Sequence, residues 1–301
     1  MALLASPDVG IRRRPFLENR TRPPSNSSRV NLAADFGVQW CTIFLLATCA
    51  LANDTALQDG NDGPAPLGDR RGDESVIRMV REHLIITFGK DKTSVHATFV
   101  FMNTKKDSAA RQTVGFPDRT AMAREKDFDG DFSGPIENLV TLVNGKERKS
   151  RRLRGWVHTR DGFDEPAKPG EKGAVERIWH AIDVEFPVGR EVVIERRYRV
   201  PNGSSVASNP EVFFDYTTAT GGVWKDTIGE MIADVTLADG LTVESLLWNG
   251  SLGAGMSPGR EQWKSQSPTR MQLVWKDFEP RTEPEHRGFR IARPINTETN
   301  E

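Results

Sequence analysis

The sequence predicts an all-β protein, two antiparallel β-sandwich-like domains in tandem after a signal peptide and a disordered tether. Three observations carry that expectation. Apolar residues recur with a period of two from residue 74 onward, Gly, Asn and Asp punctuate the runs, and no strand–helix alternation of the kind that builds a parallel α/β sheet is present.

The first strand pair has the strongest pattern. Leu84, Ile86 and Phe88 alternate with His83, Ile85 and Thr87; Val95, Ala97, Phe99 and Phe101 alternate with His96, Thr98, Val100 and Met102. Successive strand side chains point to opposite faces, so the first set of each run faces a core, and Gly89-Lys90-Asp91-Lys92 makes the turn between them. Leu139 to Val143, Asn144-Gly145 and Lys146 to Leu153 predict a hairpin, because Asn-Gly supplies the two positive φ angles of a type I′ turn. Val192, Ile194, Tyr198 and Val200 share a face of another strand. Met231, Ala233, Val235 and Leu237 share one closed by Asp239-Gly240, and Met271, Leu273 and Trp275 mark a late strand.

Two stretches are ambiguous. Val76, Ile77, Val80 and Leu84 also fit a helical face, as do Val175, Ile178, Trp179 and Ile182, and short helical turns leading into strands satisfy both patterns. The turn-rich interval from Pro201 to Pro210 marks a domain boundary, giving domains at 74–200 and 211–292 and a tail at 293–301.

The amino-terminal part predicts an address. Residues 36–52 are an unbroken charge-free apolar run of 17 residues, ending in the small-x-small triplet Ala50-Leu51-Ala52 that a signal peptidase cleaves. Residues 1–52 are therefore expected to be a leader and Asn53 the mature terminus, with the protein exported to the periplasm, cell envelope or extracellular space. Membrane attachment would come only through a retained leader, the run being at the short end of the roughly 17–25 residues a spanning helix needs, or through lipidation at Cys49. Residues 53–73 hold few apolar groups and much Gly, Pro and Asp, the composition of a disordered linker.

Both cysteines, Cys41 and Cys49, lie in the leader. A mature chain starting at Asn53 has neither disulfides nor thiolate ligands, and its core must hold the fold unaided. The leader also takes six Lys/Arg and three Asp/Glu from totals of 41 and 42, leaving a net charge of −4, which argues against nucleic acid as a partner.

The succession His83 to Ile86, Val95 to Asn103 and Val114-Gly115-Phe116-Pro117-Asp118 resembles the opening of the vault/inter-α-trypsin (VIT)-like β-sandwich, where a strand ending in an F-x-N step precedes a short "FP" strand. Phe213 to Gly221, with Trp224 and Ile228-Gly229, resembles a second element that follows such domains in exported bacterial proteins of unknown function. The resemblance implies an all-β exported bacterial protein without an assigned activity. The von Willebrand A domain that accompanies VIT domains in animal proteins is missing from this sequence.

Several groups are candidate sites. Asp127, Asp129 and Asp131 alternate around Gly130, a carboxylate density suited to calcium, although Phe132 and Asn138 stand where an EF-hand loop has Gly and Glu. Lys146, Arg148, Lys149, Arg151, Arg152 and Arg154 crowd one arm of the Asn-Gly hairpin, with Arg196, Arg197 and Arg199 as a second group; they suit an anionic polymer or headgroup, or protect an edge strand. Trp248 and Trp263 flank a Gly/Ser-rich loop and are candidate sugar platforms, whereas Trp179, Trp224 and Trp275 fall within apolar patterns. Asp161, Asp164 and Glu165 are candidates for a carboxylate pair in glycoside hydrolysis. His83, His96, His158, His180 and His286 show no H-x-x-x-H spacing, and no G-x-S-x-G elbow or P-loop occurs. The expectation is a non-enzymatic binding or structural component of the cell envelope, partnered by an envelope protein or polysaccharide and needing no cofactor. The alternative is a secreted glycan-active hydrolase working through loop carboxylates.

Overall fold

A computed structural model describes residues 50–52, 55–60, 63–66, 75–118, 136–160, 163–205, 210–248 and 257–295. The chain divides into Met1–Phe44 and Leu45–Glu301, and every described residue belongs to the second unit.

Among the described residues the protein is all-β, with helical turns only of the 3-10 type and at most five residues long. The strands in chain order are β1 (Ala50–Ala52), β2 (Thr55–Gly60), β3 (Gly63–Pro66), β4 (Ile77–Phe88), β5 (Lys92–Asn103) and β6 (Ala110–Pro117). There follow β7 (Glu137–Val143), β8 (Lys146–Glu147), β9 (Arg151–Arg160), β10 (Phe163–Pro166), β11 (Val175–Phe186) and β12 (Glu191–Pro201). The last are β13 (Gly203–Ser205), β14 (Glu211–Thr217), β15 (Ile228–Leu237), β16 (Lys264–Ser267), β17 (Arg270–Phe278) and β18 (Gly288–Pro294). An eight-stranded sheet runs β16-β17-β15-β4-β5-β12-β7-β8, a six-stranded sheet runs β10-β9-β11-β6-β2-β3, and a third joins β1-β14-β13 with β18 on β14.

Period-two patterning builds the large sheet. Leu84, Ile86 and Phe88 on β4, Ala97, Phe99 and Phe101 on β5, and Met231, Ala233 and Val235 on β15 are all buried on one face. Across from that face lie Val114, Phe116 and Phe186 of the six-stranded sheet and Phe214, Tyr216 and Phe289 of the third, all in one core. Phe101 packs between Phe186 of the six-stranded sheet and Trp224, which follows the 3-10 turn after β14, with ring centroids 6.0 Å and 4.7 Å away. Each of the Val, Leu, Ile, Met and Phe side chains among them contributes about 1.5–3 kcal/mol by leaving water. A carboxyl group sits in this core: Glu82 is fully buried and accepts a 2.5 Å hydrogen bond from the Tyr216 hydroxyl.

The sheet also corrects the expected tandem division. β15 pairs in parallel with β4, from Glu230↔Arg81 to Leu237↔Phe88, so strands from both sides of the 201–210 interval share one sheet. Within that interval, between β12 and β14 in the sequence, Gly203–Ser205 forms β13 and pairs with β14. The reason is that β4 and β15 each bury one face only, and placing them side by side extends a single apolar surface where two sandwiches would need two.

The expected tether is likewise partly strand. β2 pairs with β6 from Thr55↔Gly115 to Leu57↔Thr113, and the Gln112 amide donates to the Leu57 carbonyl at 2.7 Å. Leu57 is 3% exposed in a satellite cluster with Val157, Trp179 and Ala181. Gly115 makes room for it, since a Cβ there would lie 2.4 Å from the Leu57 Cδ1. Composition missed one well-placed leucine whose neighbours come from distant strands. Farther upstream, Ala50–Ala52, the expected cleavage triplet, pairs in parallel with Asp215–Thr217 of β14. The rest of the apolar run lies outside the described residues.

Both ambiguous stretches are strands, β4 and β11. In β4 the register shifts between Met79 and Arg81, so Ile77 and Met79 are buried before the shift and Glu82 and Leu84 after it. One extra residue changes the parity, and that is why the spacing imitated a helix. The Asn-Gly hairpin forms with φ of 50° at Asn144 and 74° at Gly145, but its second arm, β8, lasts two residues before the chain leaves to enter β9 in the six-stranded sheet.

Candidate functional site

The outer face of the eight-stranded sheet carries an open groove of about 320 Å³. Its floor is a tile of paired residues from three long strands. Thr87 on β4 opposes Ser94 on β5, which opposes Arg199 on β12; one step along, Ile85 opposes His96, which opposes Arg197. All six point away from the core because their strand neighbours, Ile86, Val95, Tyr198 and Val200 among them, point into it. Ile85 is 47% exposed, an apolar patch among polar groups.

One wall comes from β7, where Glu137 opposes Arg199 and Val140 opposes Arg197, so the register shifts and β7 carries an extra residue. Asn138 sits in this irregularity with φ of 54° and lines the groove. A left-handed residue inside a strand is uncommon for any side chain but Gly, is tolerated best by Asn and Asp, and re-aims its side chain out of the ladder.

The charges are unevenly matched. Glu195 Oε2 lies 2.9 Å from His96 Nε2 and accepts from Arg197 Nη2 at 3.0 Å. The His96 hydrogen bond, against partial burial and with help from Arg197, holds the Glu195 carboxyl below the usual carboxylate range. Lys92 Nζ is held by both oxygens of Glu137, at 2.8 and 2.9 Å. Arg199 is exposed and has no carboxylate within salt-bridge distance among the described residues. Beside the groove on the same face, His83 Nε2 is 2.8 Å from Asp234, which also accepts from the Gln272 amide at 2.8 Å. The tile thus presents basic groups around an apolar centre, which suits binding an anion. No group of three or more metal-ligating side chains exists among the described residues.

The residues nominated from sequence fare differently. Trp263 is 6% exposed, donates to the Pro258 carbonyl and stacks edge-on against Phe289, so it is core and no sugar platform. Trp248 is half-buried against the core, donates to the Val243 carbonyl at 2.8 Å and is covered by the Arg260 guanidinium 5.4 Å from its ring. The basic cluster is dispersed. Arg148 is exposed beyond β8, Arg151 forms a two-point pair with Asp183 whose carboxyl it holds low, and Arg152 approaches Asp118 at 3.7 Å. Cross-strand acids on β11 and at the end of β6 absorb charge that looks uncompensated along the sequence. Arg196 is fully buried, donating to the Thr141 hydroxyl at 2.6 Å with its guanidinium 5.6 Å from the Phe116 ring; only Arg197 and Arg199 of that group face out.

Asp127, Asp129 and Asp131 lie outside the described residues, as does Asp161. Asp164, with 3% of its side chain exposed, is fixed by Arg177 at 2.8 Å, and Glu165, the next strand residue, is exposed, so the two do not converge on one bond. Each of the five histidines pairs with a carboxylate, the remaining three being His158 with Glu171, His180 with Asp118 and His286 with Glu283. Sequence reasoning missed Asn138 as a groove residue, because the irregularity that turns it outward exists only when β7 is laid against β12. Parity did carry a signal for the rest: 85, 96, 197 and 199 are the outward positions of strands whose inward positions were identified.

No protein-family model matches the chain and no curated protein matches it. Among solved structures, a Legionella pneumophila protein provisionally described as nutrient-binding is similar over 81% of this chain and 70% of its own, with a TM-score of 0.52 and 14% identity. At that identity the likeness shows the fold alone. An M1 zinc metallopeptidase E323A mutant from Deinococcus radiodurans aligns over 76% of this chain and 44% of its own, at a TM-score of 0.33 and 10% identity, too distant to carry an argument.

Proposed function

We propose that this is an exported, non-enzymatic binding protein of the cell envelope, and that the groove on the outer face of the eight-stranded sheet receives its ligand. The observation that carries the reading is the tile itself. An open groove of about 320 Å³ lies on a three-strand platform, with one exposed arginine lacking a carboxylate among the described residues and an asparagine delivered by a strand irregularity. Small-molecule sites typically enclose about 300–1,000 Å³ and combine an apolar surface with a few placed polar groups. The provisional nutrient-binding description of the Legionella protein is compatible with this reading, and residues 36–52 support export.

Export is checked by sequencing the amino terminus of the protein recovered outside the cytoplasm, with Asn53 expected. Binding is checked with a single introduced thiol, which stands alone because the mature chain has no cysteine. In Thr87→Cys, the small-molecule fraction of the culture medium should slow alkylation, whereas at an exposed turn distant along the chain, Lys172→Cys, it should not. Equal rates at both positions, with and without that fraction, would overturn the groove as the binding site.

A further inference from the structure

We propose that the ligand class of this groove is a small organic acid, one oxyanion joined to a short apolar body; the inference rests on the groove being the ligand site. Three features of the tile select that chemistry. First, the positive charge is graded. Arg197 and His96 share Glu195, while among the described residues Arg199, two residues along the same strand face, has no carboxylate partner and no carboxylate lines the groove. A guanidinium presents a planar fork of N–H donors that matches a carboxylate or phosphate oxygen pair, and the two arginines leave β12 on one face at outward positions whose Cα atoms are about 7 Å apart. Arg199 is therefore the anchor and Arg197 the flanking charge.

Second, Asn138 keeps a left-handed backbone, φ 54°, where glycine would sit without strain. Asn138 lines the groove one residue on from Glu137, the cross-strand neighbour of Arg199, and its amide offers both a donor and an acceptor that glycine would not supply. Third, Ile85, 47% exposed, and the methyl of Thr87 give the tile an apolar strip on β4, across Ser94 and His96 of β5 from the two arginines, on which the ligand's apolar body would lie.

The experiment uses the mature chain and three probes: butyrate, its neutral isostere butyramide, and inorganic phosphate. Butyrate should bind roughly tenfold or more tightly than butyramide, the scale expected of a charge-assisted hydrogen bond. Arg199→Gln should remove that preference, and its denaturant midpoint should stay at the wild-type value. Asn138→Gly should weaken butyrate several-fold while the midpoint holds or rises, because glycine relieves the left-handed backbone; loss of affinity with a lowered midpoint would mark Asn138 as structural and overturn its role. Phosphate binding as tight as butyrate would overturn the apolar body. Butyramide equal to butyrate would overturn the anion. If neither butyrate nor phosphate binds while Thr87→Cys is still protected by the medium fraction, the ligand class is overturned and the groove reading stands. If protection is absent as well, both fall.

Discussion

Arg196 and Arg199 stand three residues apart on β12 and face opposite ways. Arg196 is fully buried, held by Thr141 and laid against Phe116 between the sheets; Arg199 projects into the groove with no carboxylate partner among the described residues. The same residue type on the same strand is thus part of the core at an even position and part of the exposed outer face at an odd one. The comparison extends to the whole sheet. The inner face of β4, β5 and β12 is one continuous core, while the outer face holds His83, Ile85, His96, Glu195, Arg197 and Arg199, partnered mainly by one another and by side chains of adjoining strands. Charge counted along the sequence therefore says little about charge available to a ligand.

The comparison breaks most readily at β5. Phe99→Ala should destabilise by about 3–5 kcal/mol, the usual consequence of emptying a large core site, whereas His96→Ala, on the other face, should shift stability by less than about 1 kcal/mol. Denaturant midpoints decide it, and equal losses would mean that both faces are buried.

A smaller contrast is expected on β12. Arg196→Ala should lose about 3 kcal/mol, since it opens a cavity and strips the buried Thr141 hydroxyl of its partner, while Arg199→Ala should change stability by no more than about 0.5 kcal/mol. Similar values for the two would contradict the assignment of faces. Guanidinium or urea titration of the pair gives the answer, with an unchanged slope confirming that the native states are comparable.

The smallest effect is electrostatic. Glu195 is held below its ordinary pKa by His96 and Arg197, so its ionised form stabilises the fold above the unfolded-state pKa of about 4.3, and that contribution is lost as pH falls through the lower folded value. The stability difference between the wild type and Glu195→Gln should therefore be present at pH 6 and shrink toward zero on acidification below pH 4. A difference that grows in acid would have the wrong sign. His158, raised chiefly by its hydrogen bond to Glu171, runs the other way, contributing below the unfolded His pKa of about 6.5 and losing that contribution as pH rises through its folded value.

Strand parity was legible in the sequence wherever the apolar runs were long. Leu84, Phe99, Ile194, Ala233 and Leu273 are all buried as expected, because a period of two is a local property of the backbone. What failed to show depends on which strands become neighbours. The parallel β4/β15 pairing, the docking of Leu57 under Trp179, and the neutralising of Arg151 by Asp183 all join residues far apart in sequence. Trp263 misled for a related reason: it ends a Gly/Ser-rich loop, yet its ring turns back onto Phe289. For the candidate site, the outward positions were readable but their convergence was not, since it requires the β4-β5-β12-β7 order and the irregularity at Asn138.

The claim that the outer sheet face recognises a ligand while the inner face only supports it is tested most directly by a backbone-amide chemical-shift map of the mature chain titrated with butyrate. Saturable shifts are predicted at Ile85, Thr87, Ser94, His96, Asn138, Arg197 and Arg199, with the third sheet around Phe214 and Phe289 unmoved. Saturable shifts centred instead on Trp248 and Arg260, or on Arg148 to Arg152, with the groove silent, would contradict it.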